Sequence, residues 1–352
     1  MTLPLSDTPT VGLGQFIKES GFLVPSHQRD YSWTDVYVRA FLHDTEEAMK
    51  SGSDIYFCGL MVFTKTSSPQ HLKVLDGQQR LATTLMVYAA IRNWLRKYGM
   101  TYNKEAVQIE TQLLSSDDIG TPAEPKLTLT SPNNHYFQKY VIASVPNSDI
   151  EKCLADRQTE DRNKTLLKAA LVVNRHVEAK AADIGATDAA RDYFLRFIQY
   201  LRSTVQVVRF VLGDDAAAYT IFETLNDRGL ELAPLDLVKN YLFSRAEPHR
   251  RGSLKELEER WAEMMALLGS VKVDSFLRTF WGSRHGAMEG TKLFAAFKKT
   301  YNDPEKTYQV SVDMRGASER YAAVSSSRDA IWSEYSDRAG PCVGSGSLGV
   351  AF

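Results

Sequence analysis

The stretch that decides the fold of this sequence is Val74-Leu75-Asp76-Gly77-Gln78-Gln79-Arg80-Leu81-Ala82-Thr83-Thr84-Leu85. Its two apolar residues end a short extended run, and the Asp-Gly pair predicts a turn. The polar Gln-Gln-Arg group then begins a helix, because apolar residues recur at spacings of three and four at Leu81, Leu85, Tyr88, Ile91 and Leu95. The stretch therefore predicts a strand, a tight turn and a helix in direct succession.

The same turn carries a chemical prediction. Gly77 permits a positive φ and the close approach of a ligand. The free N–H groups at a helix start, the positive end of the helix dipole and the Arg80 guanidinium together favour an anion. Asp76 is placed to hold a metal ion, or to orient a water, beside that anion. A phosphate-binding turn is one interpretation; the alternative is a polar N-terminal turn stabilised by Asp76 and Arg80.

Length and composition limit the class of protein. The 352 residues predict two domains, or one domain with a large insertion. A net charge of −1 excludes a global basic field, so any nucleic-acid site must be a local patch. The three cysteines have neither metal nor redox spacing, which is typical of a reducing compartment. Because no signal pattern and no membrane-spanning apolar run are present, we expect a cytoplasmic protein.

Two further segments are rich in polar side chains. The first, 26–33, mixes amide, guanidinium and aromatic groups, as a pocket wall does, although its Tyr and Trp can equally anchor a loop to the core. The second, 222–232, ends a predicted helix at Asn-Asp-Arg-Gly, and Pro234 then begins another helix. Strands are predicted at 56–64, 71–75 and 204–212 because these runs are short and apolar. Residues between about 92 and 203 read as a helical insertion.

These segments, in this order, resemble the DUF262 family, the N-terminal domain of GmrSD-type and SspE-like restriction proteins. The resemblance rests on Phe22–Trp33, on Tyr56–Leu60 followed by Asp76–Leu81, and on Phe222–Phe243. It implies an α+β fold with a ParB/sulfiredoxin-like mixed sheet, a large helical insertion and a C-terminal helical region. The domains expected are a sensor domain at 1–246, a helical region at 247–338 and a flexible tail at 339–352.

The resemblance also implies an activity: hydrolysis of GTP or ATP with Mg²⁺ under the control of modified DNA. The modification would be a phosphorothioate or a glucosylated or hydroxymethylated base. Family members usually carry an HNH-type (DUF1524) nuclease domain, and this sequence shows no His-based nuclease signature in its tail. The nuclease is therefore expected elsewhere, on a partner or on a further part of the protein. A homo-oligomer stays open, and no membrane is expected.

Site residues follow from the matching positions. The catalytic group implied is Asp76, Gln78, Gln79 and Arg80, in which Arg80 neutralises phosphate charge, Asp76 holds Mg²⁺ or the water, and Gln78 or Gln79 orients the water. The nucleotide-binding residues implied are Gly77, Thr83, Thr84, Asn226, Arg228, Lys239 and Asn240. The DNA-sensing residues implied are Gln28, Arg29, Tyr31 and Trp33.

Two other classes of function stay open at this point. The same residues would serve a DNA- or nucleotide-binding regulatory module that recruits a partner HNH nuclease without turnover. In that class, binding weakens steeply with salt and no nucleotide is hydrolysed. Direct nicking of DNA by the Asp76 site is the third interpretation.

Overall fold

The computed structural model describes residues 10–25, 28–66, 68, 70–116, 123–213, 234–245, 253–268 and 273–325. The chain divides into two compact units, Met1–Asp214 and Asp215–Phe352. This division precedes the boundary predicted near residue 246, so the helix that begins at Pro234 is grouped with the C-terminal helices.

The first unit contains a mixed sheet in the order β1-β8-β3-β4-β2-β7. Its strands are β1 Thr10–Gly12, β2 Gly21–Leu23, β3 Tyr56–Lys65, β4 His71–Asp76, β7 Leu127–Thr128 and β8 Val205–Leu212. Strand β3 lies parallel to β8 and antiparallel to β4, and β2 is parallel to both β4 and β7. A separate two-stranded ladder joins β5 Ser115–Ser116 to β6 Glu124–Pro125. The strand runs read from the sequence at β3, β4 and β8 are therefore present.

Helices cover this sheet and extend from it. They are α1 Leu13–Glu19, α2 Asp35–Lys50, α3 Gln78–Arg96, α4 Asn103–Ile109, α5 Ser131–Phe137, α6 Asn147–Ala155, α7 Asp161–Ile184 and α8 Thr187–Ser203. Two π-helical turns continue α4 and α5, over Glu110–Leu114 and Gln138–Ile142. The helices α4 to α8 occupy the range predicted as a helical insertion.

Helix α3 lies at the centre of the first unit. Its apolar residues occur on every side, and nearly the whole helix is buried. It packs against α4 and α7, and it shares one core with Phe16, Phe22 and Phe63, whose rings lie 5.0–5.6 Å apart. Because α3 is fixed along its length, its N-terminal turn at the end of β4 is held rigidly.

The second unit is helical where it is described. Its helices are α9 Pro234–Ser244, α10 Leu254–Leu268, α11 Val273–His285, α12 Gly290–Thr300 and α13 Pro304–Ser325. Helix α9 contacts the other helices: the Tyr241 hydroxyl donates to the Tyr301 carbonyl at 2.8 Å, and Phe243 meets Trp261 edge to face at 6.0 Å. The mixed sheet with attached helices confirms the predicted α+β class with a helical region. None of the described helices combines the length and apolar composition needed to cross a bilayer.

Candidate functional site

The turn between β4 and α3 has the backbone that the sequence predicts. Gly77 precedes α3 with φ 104° and ψ 0°, in the left-handed region that favours glycine. A Cβ at this position would lie 2.7 Å from the Met61 side chain. The first hydrogen bond of the helix runs from the Leu81 N–H to the Gly77 carbonyl at 3.0 Å. The N–H groups of residues 78–80 therefore precede the intrahelical ladder, at the positive end of the helix dipole.

The Arg80 guanidinium is held between a carboxylate and a carbonyl. Its Nη2 lies 3.2 Å from Asp76 Oδ2, and its Nη1 donates to the Cys58 carbonyl at 2.9 Å. The Arg80 and Asp76 side chains are 17% and 25% exposed, so the pair stands at the edge of the core. The resting arrangement is thus an i,i+4 Asp–Arg pair at the helix start. It is the pairing named in the alternative interpretation of the turn.

A bulge in β3 provides the carbonyl that Arg80 contacts. The pairing of β3 with β8 is interrupted between Phe57 and Leu60, and Gly59 has φ 98°. A Cβ on Gly59 would lie 2.5 Å from Arg80 Nη1. The glycine therefore lets the guanidinium lie directly against the bulged strand.

The two glutamines fasten a loop to the start of α3. Gln79 uses both ends of its amide, since its Oε1 accepts from the Ser32 N–H at 3.0 Å and its Nε2 donates to the Asp30 carbonyl at 3.3 Å. Gln78 Nε2 donates to the Arg29 carbonyl at 3.0 Å. Gln78 is 8% exposed, and its buried Oε1 has no hydrogen-bond partner among the residues that the structure describes. An unsatisfied buried acceptor of this kind is uncommon and costly.

We call residues 28–33 the sensor loop, because the predicted DNA-sensing residues lie there. Gln28 fastens it to the end of β4 by donating to the Leu75 carbonyl at 3.1 Å. Tyr31 is buried, its hydroxyl lies 2.8 Å from Thr83 Oγ1, and its N–H donates to Asn133 Oδ1. Burial strongly raises the pKa of Tyr31. Tyr31 therefore supports the loop from beneath.

The outer side of the sensor loop is aromatic and basic. Arg29 is exposed and Trp33 is partly exposed. The Trp33 ring stacks on Tyr37 of α2 with centroids 6.4 Å apart, and Tyr37 is 60% exposed. Its neighbour Val36 is exposed as well. Among the predicted DNA-sensing residues, Arg29 is exposed, Trp33 is partly exposed while also packing against the core, and Gln28 and Tyr31 are buried.

The predicted nucleotide-binding residues are distributed over both units. Thr83 and Thr84 are buried in α3, where their hydroxyls donate to the carbonyls of Gln79 and Arg80, each at 2.8 Å. Lys239 is buried in α9, and Asn240 follows it in the same helix. Asn226 and Arg228 lie outside the described residues. The participation of these four residues from 226 to 240 in a nucleotide site stays a prediction.

A metal site at Asp76 would depend on ligands that come with the substrate. Within the described ranges, no three His, Cys, Asp or Glu side chains cluster closely enough to hold an ion. Mg²⁺ is commonly bound by one or two carboxylates together with substrate phosphates and waters. The single, partly exposed Asp76 carboxylate fits that kind of site.

Sequence reasoning missed the residues that hold this site from behind. Thr130 donates to Asp30 Oδ1 at 2.6 Å, and Asn133 reaches both the Tyr31 N–H and Asn163 Oδ1. The bulge at Cys58 and Gly59 was also unassigned to the site. Gly59 did leave a signal, because an isolated glycine inside an apolar strand run indicates a bulge or a close approach. No comparable sequence signal indicated Thr130 or Asn133.

Comparison with known proteins places the chain in a family. The family profile described as GmrSD restriction endonuclease, N-terminal domain, matches residues 13–243, more than half of the chain. The matched range includes the sensor loop, the bulge, the start of α3 and all but the last residue of helix α9. No curated protein matches the sequence. The chain therefore belongs to the GmrSD N-terminal domain family and is a restriction-system module.

Proposed function

We propose that this protein is a nucleotide-hydrolysing module whose activity responds to modified DNA. The observation that carries the proposal is the attachment of the sensor loop to the first turn of α3. Gln78 and Gln79 each bind a backbone carbonyl of that loop, at 3.0 and 3.3 Å. A displacement of the sensor loop would therefore move the side chains that are proposed to act on the nucleotide.

The phosphates are proposed to lie at the start of α3, where the N–H groups and the helix dipole favour an anion. Arg80 would turn from Asp76 to the γ-phosphate and neutralise the charge that develops there. Mg²⁺ held by Asp76, when bound, would neutralise charge on the phosphate oxygens. Arg80 and Asp76 thus form a pair that the substrate and its ion would separate.

Gln78 is the better candidate for orienting the attacking water. Its Oε1 accepts no hydrogen bond from the described part of the chain, whereas both ends of the Gln79 amide are used by the sensor loop. Gln78 Oε1 is buried beneath that loop, so water reaches it only after the loop moves. Brief spontaneous movements of the loop would give the basal rate, and DNA bound at Arg29 and Trp33 would make them more frequent. The two glutamines would therefore differ in role, with Gln78 acting on water and Gln79 coupling the loop to α3.

A regulatory module without turnover is the second candidate. It is favoured by the contacts of Arg80, whose Nη1 and Nη2 both have partners within the protein. In this case the start of α3 would bind a nucleotide or a DNA phosphate and signal its presence. An HNH nuclease, on a partner or on a further part of the protein, would then cut the DNA.

Phosphate release from GTP and from ATP tests the two candidates. The assay is run with Mg²⁺ and with unmodified, phosphorothioate and glucosylated or hydroxymethylated DNA. Hydrolysis that Arg80→Ala abolishes supports the first candidate. The matched control is Arg96→Ala, because Arg96 lies in the last turn of the same helix and is largely exposed. Nucleotide binding without turnover under every condition would favour the second candidate.

The division of labour between the glutamines has its own test. Gln78→Ala is expected to lower kcat both with and without DNA, because it removes the group that orients water. Gln79→Ala is expected to lower mainly the ratio of DNA-stimulated to basal turnover, because it loosens the sensor loop from α3. Equal effects of both substitutions on that ratio and on basal kcat would contradict the assignment.

A further inference from the structure

A groove of about 440 Å³ lies between α11 and α13 of the second unit. Helix α11 lines it with Phe276, Phe280 and Arg284, and α13 lines it with Arg320 and Tyr321. The other described residues that line it are small or hydroxylated, and none of them is acidic. The volume suits a small ligand or a segment of a larger one. A groove with two arginines and no carboxylate is expected to select an anion.

The Arg284 guanidinium is oriented before any ligand binds. It stacks on the Phe280 ring with 4.0 Å between Cζ and the ring centroid. Its Nη1 donates to Ser283 Oγ at 3.0 Å. The Phe280 ring itself is buried, so it forms a fixed support for the cation. Since these contacts occupy one of the two terminal nitrogens, the other is left to face a ligand.

Charge pairing distinguishes the groove from the rest of this basic region. Lys292, Lys306 and Arg315 each lie within 3.2 Å of a carboxylate. Arg284 and Arg320 form no ion pair with any carboxylate among the described residues. Arg320 is exposed, so holding an anion there costs little desolvation of the arginine itself. Arg284 and Arg320, which both line the groove, are therefore among the described cations that no carboxylate of the described residues neutralises.

We propose that this groove binds a phosphate ester of a nucleotide. Planar guanidinium groups match phosphate oxygens in geometry and charge. The partly buried Tyr321 ring, which meets Phe276 edge to face at 5.5 Å, gives the groove an aromatic wall beside the two arginines. Arginines next to aromatic rings are the combination that binds single-stranded nucleic acid. The phosphate ester can belong to single-stranded nucleic acid or to a free nucleotide, and the experiment separates these sources.

The test measures fluorescence anisotropy of the full chain with two probes, a labelled twelve-residue oligothymidylate and a labelled thymidine monophosphate. Arg284→Ala and Arg320→Ala are each expected to weaken oligothymidylate binding about 10-fold. The double variant should lower the slope of log K against log salt by about 1.4, because two phosphate contacts are lost. Arg278→Ala is the matched control, since Arg278 is an exposed arginine of α11 outside the groove.

The outcomes are distinct. Loss of oligothymidylate binding in the groove variants alone, with Arg278→Ala unchanged, supports the proposal with nucleic acid as the source. Loss of monophosphate binding in the same variants supports it with a free nucleotide as the source. Absence of binding to both probes, or equal losses in Arg278→Ala, would overturn it. Thermal melts establish that each variant is folded. The Arg284→Lys variant retains the positive charge but lacks the planar guanidinium group that matches phosphate oxygens.

The groove is independent of the activity proposed at α3. Arg80→Ala should abolish hydrolysis and leave the groove variants' effect on oligothymidylate binding unchanged. If the protein hydrolyses nucleotide, but wild type and groove variants bind both probes equally well, the proposed binding in the groove is refuted. The activity proposed at α3 is not affected by that result.

Discussion

Helix α3 carries three arginines that pair with acids, and two of them, Arg80 and Arg92, differ in how completely they are buried. Arg80, in the first turn, is 17% exposed and pairs with Asp76, which is 25% exposed. Arg92, twelve residues further along the same helix, is 0% exposed. It pairs with Glu110, donates to Asn93 Oδ1 at 2.8 and 3.0 Å, and lies 3.5 Å from the Val141 carbonyl.

This difference separates a pair that a ligand can open from one that it cannot. The contacts of Arg92 with Glu110 and Val141 join α3 to its surroundings, and both partners belong to π-helical turns. Loss of Arg92 would remove a fully buried cation and leave Glu110 beside the more exposed Arg96. The partners of Arg80 stand at the edge, where water or a phosphate can replace them. Burial, and not the presence of a salt bridge, therefore marks Arg80 as the candidate for chemistry.

The largest effect is expected for Arg80→Ala on hydrolysis. One arginine acting on a transferred phosphoryl group accounts for about 10³-fold or more in kcat. Its partly exposed ion pair contributes at most ~1 kcal/mol to folding, so the melting temperature should stay nearly unchanged. Steady-state phosphate release and a thermal melt on the same preparation measure both. A large fall in melting temperature would mean that Arg80 stabilises the fold as Arg92 does. The two arginines would then not differ in role.

Arg92→Ala is expected to act in the opposite way, on stability. Removing one partner of a buried ion pair costs about 3–5 kcal/mol, and the partial exposure of Glu110 favours the lower end of that range. Urea denaturation of the two variants measures the difference. Arg96→Ala is the control, because Arg96 contacts the same Glu110 oxygen at 3.3 Å from an exposed position and should cost less than about 1 kcal/mol.

The start of α3 shows which parts of the candidate site can be predicted from the sequence. The strand, the left-handed Gly77 and the helix all follow from local rules, because turn chemistry and apolar spacing act over a few residues. The contacts of Gln78 and Gln79 do not follow, since their partners are backbone groups of residues 29–32. Any loop offers such groups, so side-chain patterns carry no information about which loop is held.

The sensor loop illustrates the same limit with its aromatic residues. Its sequence was compatible with a pocket wall and with a loop anchored by its rings. Both descriptions apply, to different residues: Tyr31 is an anchor against Thr83, and Trp33 is partly exposed beside Tyr37. The buried ring, that of Tyr31, is held by residues distant in sequence, because Asn133 accepts from the Tyr31 N–H and Thr83 contacts its hydroxyl. Family resemblance predicted the loop as a site, and only the packing assigns its two sides.

A buried carboxylate extends the comparison to pH. Glu46 of α2 accepts hydrogen bonds from His176 and Tyr193 at 2.9 and 2.8 Å, and Lys180 lies 3.3 Å away. Burial alone would raise the pKa of Glu46, but these hydrogen bonds and the nearby cations outweigh it and lower the pKa to about 2. Because the folded-state pKa is depressed, the stabilisation is present above pH 4.5 and is lost as the pH falls towards 2.

Glu46→Gln is therefore expected to cost about 2 kcal/mol near pH 7, the range for hydrogen bonds to a charged group. The difference in melting temperature from wild type should shrink as the pH is lowered from about 4.5 to about 2. Thermal melts of both proteins across this range provide the measurement. A difference that stays constant with pH would mean that the Glu46 charge contributes nothing to folding.

The smallest effect is expected for Gly59→Ala. This substitution tests whether the bulge in β3 sets the position of Arg80. The substitution has two parts: a φ of 98° that costs about 1–2 kcal/mol for a residue with a Cβ, and a new atom 2.5 Å from Arg80 Nη1. Gly185→Ala separates them, because Gly185 has φ 78° and nothing within 4 Å of the added Cβ. Both variants should lose about the same stability, since the end of an arginine side chain moves away cheaply. Only Gly59→Ala should also lower hydrolysis, because there the added methyl displaces the guanidinium from the Cys58 carbonyl. If the two variants hydrolyse nucleotide equally, Arg80 reaches the phosphate without help from the bulge, and its exposure at the end of α3 is sufficient.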